Sequence, residues 1–208
     1  MNVAFIMYII GWIISIEAVA MLLPAGVGLI YQESSGWSYL VVSIISMIVG
    51  LLLIRKKPEK TQLYAREGFA VVALSWIVLS LIGALPLYYS GEMPKFIDAL
   101  FDIASGFTTT GATTRSEVES FTHVAHFWRC FSHWIGGMGV FVFLLAVLPM
   151  TGGYNMHLMR AESPGPTVGK LVPKIRDTAK ILYGIYFGIT FFCFSRTQIS
   201  CNIRILIC

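Results

Sequence analysis

Long apolar segments alternate along this chain with short polar ones. Four segments are long enough to cross a bilayer as helices: Val3–Ile30, Trp37–Ile54, Gly68–Tyr89 and Phe127–Pro149. A helix rises about 1.5 Å per residue, so roughly 20 apolar residues span the hydrocarbon core. Because 56% of the residues are hydrophobic and only 12% are charged, we expect an all-α membrane protein.

A further apolar segment, between the third and fourth spans, is too short to cross. Lys95–Phe107 follows Pro94 and would form a helix of about 20 Å. The threonine- and glycine-rich run Ser105–Thr114 comes next. Irregular backbone at membrane depth is tolerated only where protein or a water-filled cavity satisfies its polar groups. We therefore expect a half-length helix that enters the membrane, turns at this run and leaves on the same side.

Such a turn has the chemistry of a cation path. The carboxyl end of a helix carries partial negative charge and unpaired carbonyl groups, which can replace the hydration shell of an ion. Thr109 and Thr110 add hydroxyls, and Gly111 permits backbone angles that strain other residues. The run contains no carboxylate, which favours a monovalent cation. The alternative is a plain extracellular turn.

The lysines and arginines predict the orientation. Residues 55–67 and residues 151–180 each hold five of the fifteen basic residues. Basic loops remain on the cytoplasmic side of a membrane. Both segments are therefore expected in the cytoplasm, so the half-length helix enters from outside and the amino terminus is cytoplasmic.

Histidines leave a second functional class open. His123, His126 and His133 lie near the outer end of the fourth span, and the last two are seven residues apart on one helical face. A membrane-embedded enzyme with a histidine-bound metal would need a third ligand and an oriented second shell. We favour interfacial histidines. The four cysteines lack metal-ligand spacing, and nothing in the sequence resembles a nucleophile–base pair, so we expect no enzyme.

Two charged residues lie inside predicted spans. Glu17 is an intramembrane carboxyl, which is a functional candidate by default. The simpler interpretation is a protonated or snorkelling side chain in a peripheral helix. Arg129, near the outer end of the fourth span, is expected to pair with Glu117 or Glu119 of the outer loop.

Three glycines interrupt the fourth span. Gly136, Gly137 and Gly139 could form a hinge, or could be positions where small residues let helices approach closely. The two interpretations are compatible, and we favour packing.

Several motifs together resemble a known family. They are Arg66-Glu67-Gly68-Phe69, Gly83-Ala84-Leu85-Pro86, Ser105–Ala112, Trp134-Ile135-Gly136-Gly137-Met138-Gly139 and Arg160-Ala161-Glu162-Ser163-Pro164-Gly165-Pro166. In order and spacing across roughly residues 1–190, they resemble the membrane subunit of Trk-type potassium uptake systems, in the superfamily of K⁺ transporters. The resemblance implies a potassium-channel-like fold, with four helix–pore loop–helix repeats in one chain after two extra transmembrane helices.

The resemblance also implies the organisation of the chain. Residues 1–66 would hold the two extra helices and a basic cytoplasmic loop, and residues 67–150 the first helix–pore loop–helix repeat. Residues 151–180 would be a cytoplasmic loop, and residues 181–208 an incomplete start of the second repeat. The selectivity filter would be Thr109, Thr110, Gly111 and Ala112, with Thr108 just beneath, and K⁺ would be the transported ion without an organic cofactor.

Partners follow from the same resemblance. The chain would lie in the lipid bilayer of the plasma (inner) membrane, bind a cytoplasmic nucleotide-binding regulatory subunit through its basic loops, and form a homodimer when full length. It would not bind nucleic acid.

The chain departs from the family in carrying a single pore loop. Family members are more than twice as long and supply three further repeats. After about residue 194 the apolar pattern stops, which suggests a truncation or a frameshift. We therefore expect that the 208-residue chain does not conduct alone, and a non-conducting helix-association fragment is a third interpretation.

Overall fold

The computed structural model describes residues 3–55, 65–117, 120–137, 139 and 180–193. These residues form seven helices and contain no strand: α1 (Val3–Ala20), α2 (Leu22–Tyr31), α3 (Ser35–Ile54), α4 (Ala65–Tyr89), α5 (Phe96–Phe107), α6 (His123–Gly137) and α7 (Lys180–Cys193). The expected all-α membrane architecture is thus confirmed for the described part of the chain.

Three helical stretches are long and apolar enough to cross a membrane. They are Val3–Tyr31, Ser35–Ile54 and Ala70–Tyr89, which confirms the first three predicted spans. The fourth predicted span, Phe127–Pro149, is described only through α6 and residue 139. Its remainder, the loop predicted at 151–180 apart from Lys180, and the pattern change after residue 194 all lie outside the described residues.

The first span, Val3–Tyr31, contains one irregular residue, Met21, between α1 and α2. It lies three residues before Pro24. Proline has no N–H to bond the carbonyl four residues earlier, and its ring collides with that carbonyl. In this chain the affected carbonyl belongs to Ala20, the last residue of α1. The proline therefore removes one hydrogen bond at the end of α1, while Met21 keeps helical backbone angles (φ −66°, ψ −16°) and its N–H donates to the Glu17 carbonyl.

Small residues bring α1 and α3 close together. A Cβ atom at Gly50 of α3 would overlap the hydroxyl of Ser15 on α1. On the same interface, the Ser43 hydroxyl of α3 donates to the Ala18 carbonyl of α1 over 2.6 Å. Close helix approach and interhelical hydrogen bonds are the main sources of association in a bilayer, where apolar burial gives little. The first two spans thus form a tight pair.

The remaining helices pack around Trp128 of α6. Its side chain is fully buried, and its indole N–H donates to the Gly83 carbonyl of α4 over 3.0 Å. The rings of Tyr39 on α3 and Phe107 on α5 lie edge-on against it. Trp128 therefore lies in the core, where α3, α4, α5 and α6 meet.

Candidate ion-binding site

The short helix α5 lies between α4 and α6. It contains 12 residues, or about 18 Å of helix, and starts at Phe96, one residue later than predicted. Lys95 is extended (φ −110°, ψ 128°), as expected for the residue after which a helix begins. Asp98 in the first turn lies near the positive end of the helix dipole. The helix ends at Phe107, well short of a membrane crossing.

A sharp backbone reversal follows α5. Thr109 has φ 57° and Gly111 has φ 75°, both in the left-handed region. The reversal is closed by hydrogen bonds to the last turn: the Thr108 N–H donates to the Ala104 carbonyl and the Thr110 N–H to the Ser105 carbonyl, each over 2.9 Å. A left-handed residue just after a helix is a common way to satisfy its terminal carbonyls. The threonine run is therefore an ordered turn joined to α5.

The backbone carbonyls of the turn itself lack hydrogen-bond partners within the described part of the chain. The backbone oxygens of Thr108 to Ala112 accept no hydrogen bond from any residue that the structure describes. The hydroxyl of Thr108 instead donates back to Ala104 over 2.7 Å and lies 3.0 Å from that of Thr110. Thr108 to Gly111 are exposed, and Ala112 is half-buried. Free carbonyl oxygens thus lie together at the negative end of a short helix.

Helix α6 supports this turn by direct backbone contact. A Cβ atom at Gly136 would overlap the carbonyl oxygen of Phe107, the last residue of α5. A Cβ atom at Gly137 would lie 2.5 Å from the hydroxyl of Tyr186 on α7. Gly139 has φ 66°, which a regular helix does not allow. Close packing thus accounts for Gly136 and Gly137, whereas the backbone at Gly139 suits a bend.

A buried ion pair joins α5 to α6 next to the turn. Asp102 is 1% exposed and Arg129 is 7% exposed, and the Arg129 Nε donates to the Asp102 carboxylate. The predicted pairing of Arg129 with Glu117 or Glu119 was wrong. Its guanidinium faces inward and also lies over the Phe121 ring, 5.2 Å from the centroid. The ion pair thus fixes the rotation of α5 relative to α6.

Comparison with known proteins identifies the family. Residues 39–199 match the family model described as "TrkH: Cation transport protein". The chain belongs to the TrkH cation transport family. The Trk system potassium uptake proteins TrkH of Salmonella typhimurium and Escherichia coli K12 are each 40% identical over 189 residues, covering 89% of this chain and 39% of the relative.

A solved structure shows the same arrangement of helices. The crystal structure of the potassium transporter TrkH from Vibrio parahaemolyticus has a TM-score of 0.73 and 31% sequence identity, over 92% of this chain and 38% of that one. The chain therefore spans about 39% of the length of the curated relatives it matches.

The turn between α2 and α3 clamps the start of α6 in this TrkH family chain. Glu33 accepts the backbone N–H groups of His123 and Val124, each over 3.1 Å, and contacts His123 Nδ1 at 2.8 Å. The His123 ring stacks on Tyr31 at 4.2 Å. Partial burial raises the pKa of Glu33, but its hydrogen bonds with His123 and Val124 outweigh that effect and lower the pKa overall. Sequence reasoning missed this contact, which joins residues 90 positions apart.

The other two histidines do not approach one another as metal ligands would. His126 is exposed, and the His133 Nδ1 lies 2.7 Å from the Arg129 carbonyl, to which it donates. Among the described residues, no group of three His, Cys, Asp or Glu side chains could hold a metal ion. The His133 Nε2 instead lies 3.8 Å from the Cβ position of Gly111. Nothing in this part of the chain favours the metal-enzyme interpretation.

Proposed function

We propose that this chain is the amino-terminal part of a potassium uptake transporter, and that Thr108, Thr109, Thr110, Gly111 and Ala112 line its ion path. The observation that carries the proposal is the exposed turn after α5, whose carbonyl oxygens have no hydrogen-bond partner among the described residues. In hydrocarbon each would cost several kcal/mol. A dehydrated cation supplies the missing partner.

The identity of the ion rests on the relatives. The TrkH relatives are potassium uptake proteins by name, and those of Salmonella typhimurium and Vibrio parahaemolyticus match about nine-tenths of this chain. The turn itself suits K⁺, since it carries no fixed carboxylate. Its carbonyl and hydroxyl dipoles can replace the water around the ion. The negative end of the α5 dipole adds to the attraction.

The proposed assembly follows the same division of the chain. Residues 1–66 are the extra helices with their basic loop, residues 67–150 the first pore repeat, residues 151–180 a cytoplasmic loop and residues 181–208 the start of the next repeat. One repeat provides a quarter of a filter, so the remaining repeats must complete the ring. We also propose that the protein lies in the inner membrane with its amino terminus in the cytoplasm, as its basic loops favour. A cytoplasmic nucleotide-binding subunit and a second copy of the full-length protein are its proposed partners.

A chimera tests this proposal. Residues 3–193 replace the aligned part of the Escherichia coli relative, and rubidium uptake is measured in a strain that requires potassium transport. Gly111→Ala places a side chain at φ 75°, which costs about 1–2 kcal/mol in the turn and redirects its carbonyl groups. We expect uptake to fall about tenfold, because a strain of this size corresponds to roughly one factor of ten in an equilibrium constant.

Gly91→Ala is the matched control. Gly91 has φ 80° and has no neighbour within 4 Å of its Cβ position, so the backbone strain is similar but lies in the turn after α4. Uptake should remain close to that of the parent chimera, as it should in His133→Ala. Equal loss in the Gly91 and Gly111 variants would show that folding, not the ion path, is affected. Full uptake in Gly111→Ala would refute the proposal.

A further inference from the structure

The segment that leaves the turn after α5 has few backbone partners. Ala112 to Arg115 make no backbone-to-backbone hydrogen bond with any residue that the structure describes. The Arg115 N–H donates to the hydroxyl of nearby Thr113 over 3.3 Å, which is a contact within the segment itself. The position of this segment relative to the helices therefore depends on its side chains.

The side chain of Arg115 joins the segment to two neighbouring elements. Its Nη1 donates to the Glu92 carbonyl over 3.2 Å and lies 3.5 Å from the Glu92 carboxylate, in the turn between α4 and α5. Its guanidinium carbon lies 4.6 Å from the centroid of the Phe121 ring, just before α6. The side chains of Arg115 and Glu92 are 36% and 10% exposed. Salt therefore screens this pair less than it would screen a pair on open surface.

The Phe121 ring is shared with the buried ion pair of α5 and α6. Phe121 is buried, and the guanidinium of Arg129 lies 5.2 Å from the centroid of its ring. Arg129 in turn donates to Asp102 in the second half of α5. Contacts thus run from α5, before the turn, through Arg129 and Phe121 to Arg115, after the turn. Both ends of the turn are held around one aromatic ring.

We propose that Arg115 is a positioning residue for the ion path. Held by Glu92 and Phe121, it keeps the carbonyl oxygens of the preceding turn in one orientation. The inference rests on the proposed function, because it assigns the residue that orients the carbonyls named there. Arg115 follows Ala112 by three residues, at most about 11 Å of extended chain. An unpaired positive charge that close would repel a cation, and the Glu92 carboxylate offsets it.

The concentration dependence of rubidium uptake by the chimera tests this role. Arg115→Gln removes the ion pair and the cation–π contact, and should raise the KM for rubidium about threefold to tenfold. Sodium should also compete better with rubidium, because the carbonyl oxygens no longer hold one spacing. Arg115→Lys keeps the charge but not the planar fork, so its KM should lie between those of the parent and Arg115→Gln. Glu92→Gln should raise the KM as well, and the double variant no further than the larger single effect.

Glu117→Gln is the matched control. Glu117 is an exposed carboxylate in the same segment and forms no ion pair with a described residue. Its replacement should change neither the KM nor the competition by sodium. The amount of each chimera in the membrane is measured alongside, so that a change in the ion path is separated from a change in stability.

Two results would overturn the proposal. One is a parent KM in both Arg115→Gln and Glu92→Gln, and the other is uptake that falls only in proportion to the amount of protein. If Arg115→Gln does not reach the membrane, the KM of Glu92→Gln decides in the same way. A parent KM in these variants together with lost uptake in Gly111→Ala would refute the positioning role alone. Full uptake in Gly111→Ala would refute the ion path itself.

Discussion

Replacing Asp102 with asparagine should destabilise the chain more than the same replacement at Asp98, the other carboxylate of α5. Asp102 is 1% exposed and is bonded to Arg129, which is 7% exposed. Removing one partner of a buried ion pair leaves an uncompensated charge and costs about 3–5 kcal/mol. Asparagine keeps an acceptor for the Arg129 N–H, so we expect a loss near the lower end, about 3 kcal/mol.

A double substitution separates the charge from the packing. Asp102→Leu combined with Arg129→Met removes both charges and leaves apolar side chains of similar size. Exchanges of this kind are often neutral or stabilising. The double variant should therefore recover most of the stability lost in Asp102→Asn. Such a recovery would show that the unpaired charge, and not altered packing, causes the loss.

The assay is reversible unfolding in mixed detergent micelles, followed by tryptophan fluorescence, to which the buried Trp128 contributes. Asp98→Asn is the matched control, since Asp98 lies one turn earlier on α5, is half-buried and forms no ion pair with a described residue. It should change the free energy of unfolding by no more than about 1 kcal/mol, the size of the helix-dipole contribution. Equal effects of the Asp98 and Asp102 variants, or no recovery in the double variant, would refute the reasoning.

Three further changes test other contacts. Gly136→Ala forces a methyl group against the carbonyl end of α5 and should cost about 1–3 kcal/mol in the same assay, where a wild-type midpoint would contradict the close contact. Trp128→Phe leaves the Gly83 carbonyl buried without its donor and should cost about 1–3 kcal/mol; a cost no larger than that of an exposed substitution would count against it. The lowered pKa of Glu33 means that its contribution is present above the ordinary value of 4.5 and is lost as the pH falls through the native value. Glu33→Gln should therefore flatten the stability profile in that acidic window and leave the profile's shape at neutral pH unchanged, as measured by unfolding between pH 3 and pH 7; an unaltered acidic slope would contradict this.

Local features of the fold were predictable from sequence. The length of α5 follows from a short apolar run between Pro94 and the threonine-rich turn, and the turn follows from its glycine. These signals act within a few residues of the chain. The irregular residue Met21 also has a local cause, because Pro24 removes a helical hydrogen bond. The length of the apolar segment alone does not show it.

Pairings between distant residues could not be predicted. In the sequence, several carboxylates are possible partners for Arg129. Only the packing of α5 on α6 places Asp102 beside it, although the two residues are 27 positions apart in the chain. Likewise, Glu33 gives no local sign that it binds the first residues of α6. Such contacts depend on helix rotation and crossing angles, which apolar patterns in a membrane helix specify poorly because most faces are apolar.

Cysteine labelling at the turn after α5 tests the central claim most directly. Thr110→Cys is made in the full-length chimera after Cys130 and Cys193, both exposed, are replaced by serine. A membrane-impermeant methanethiosulfonate reagent is applied from outside in potassium or in choline. We predict that potassium slows the reaction at position 110 but leaves Ser116→Cys, in the exposed segment that follows the turn, unchanged. Equal rates in potassium and choline at both positions would contradict an ion-binding turn.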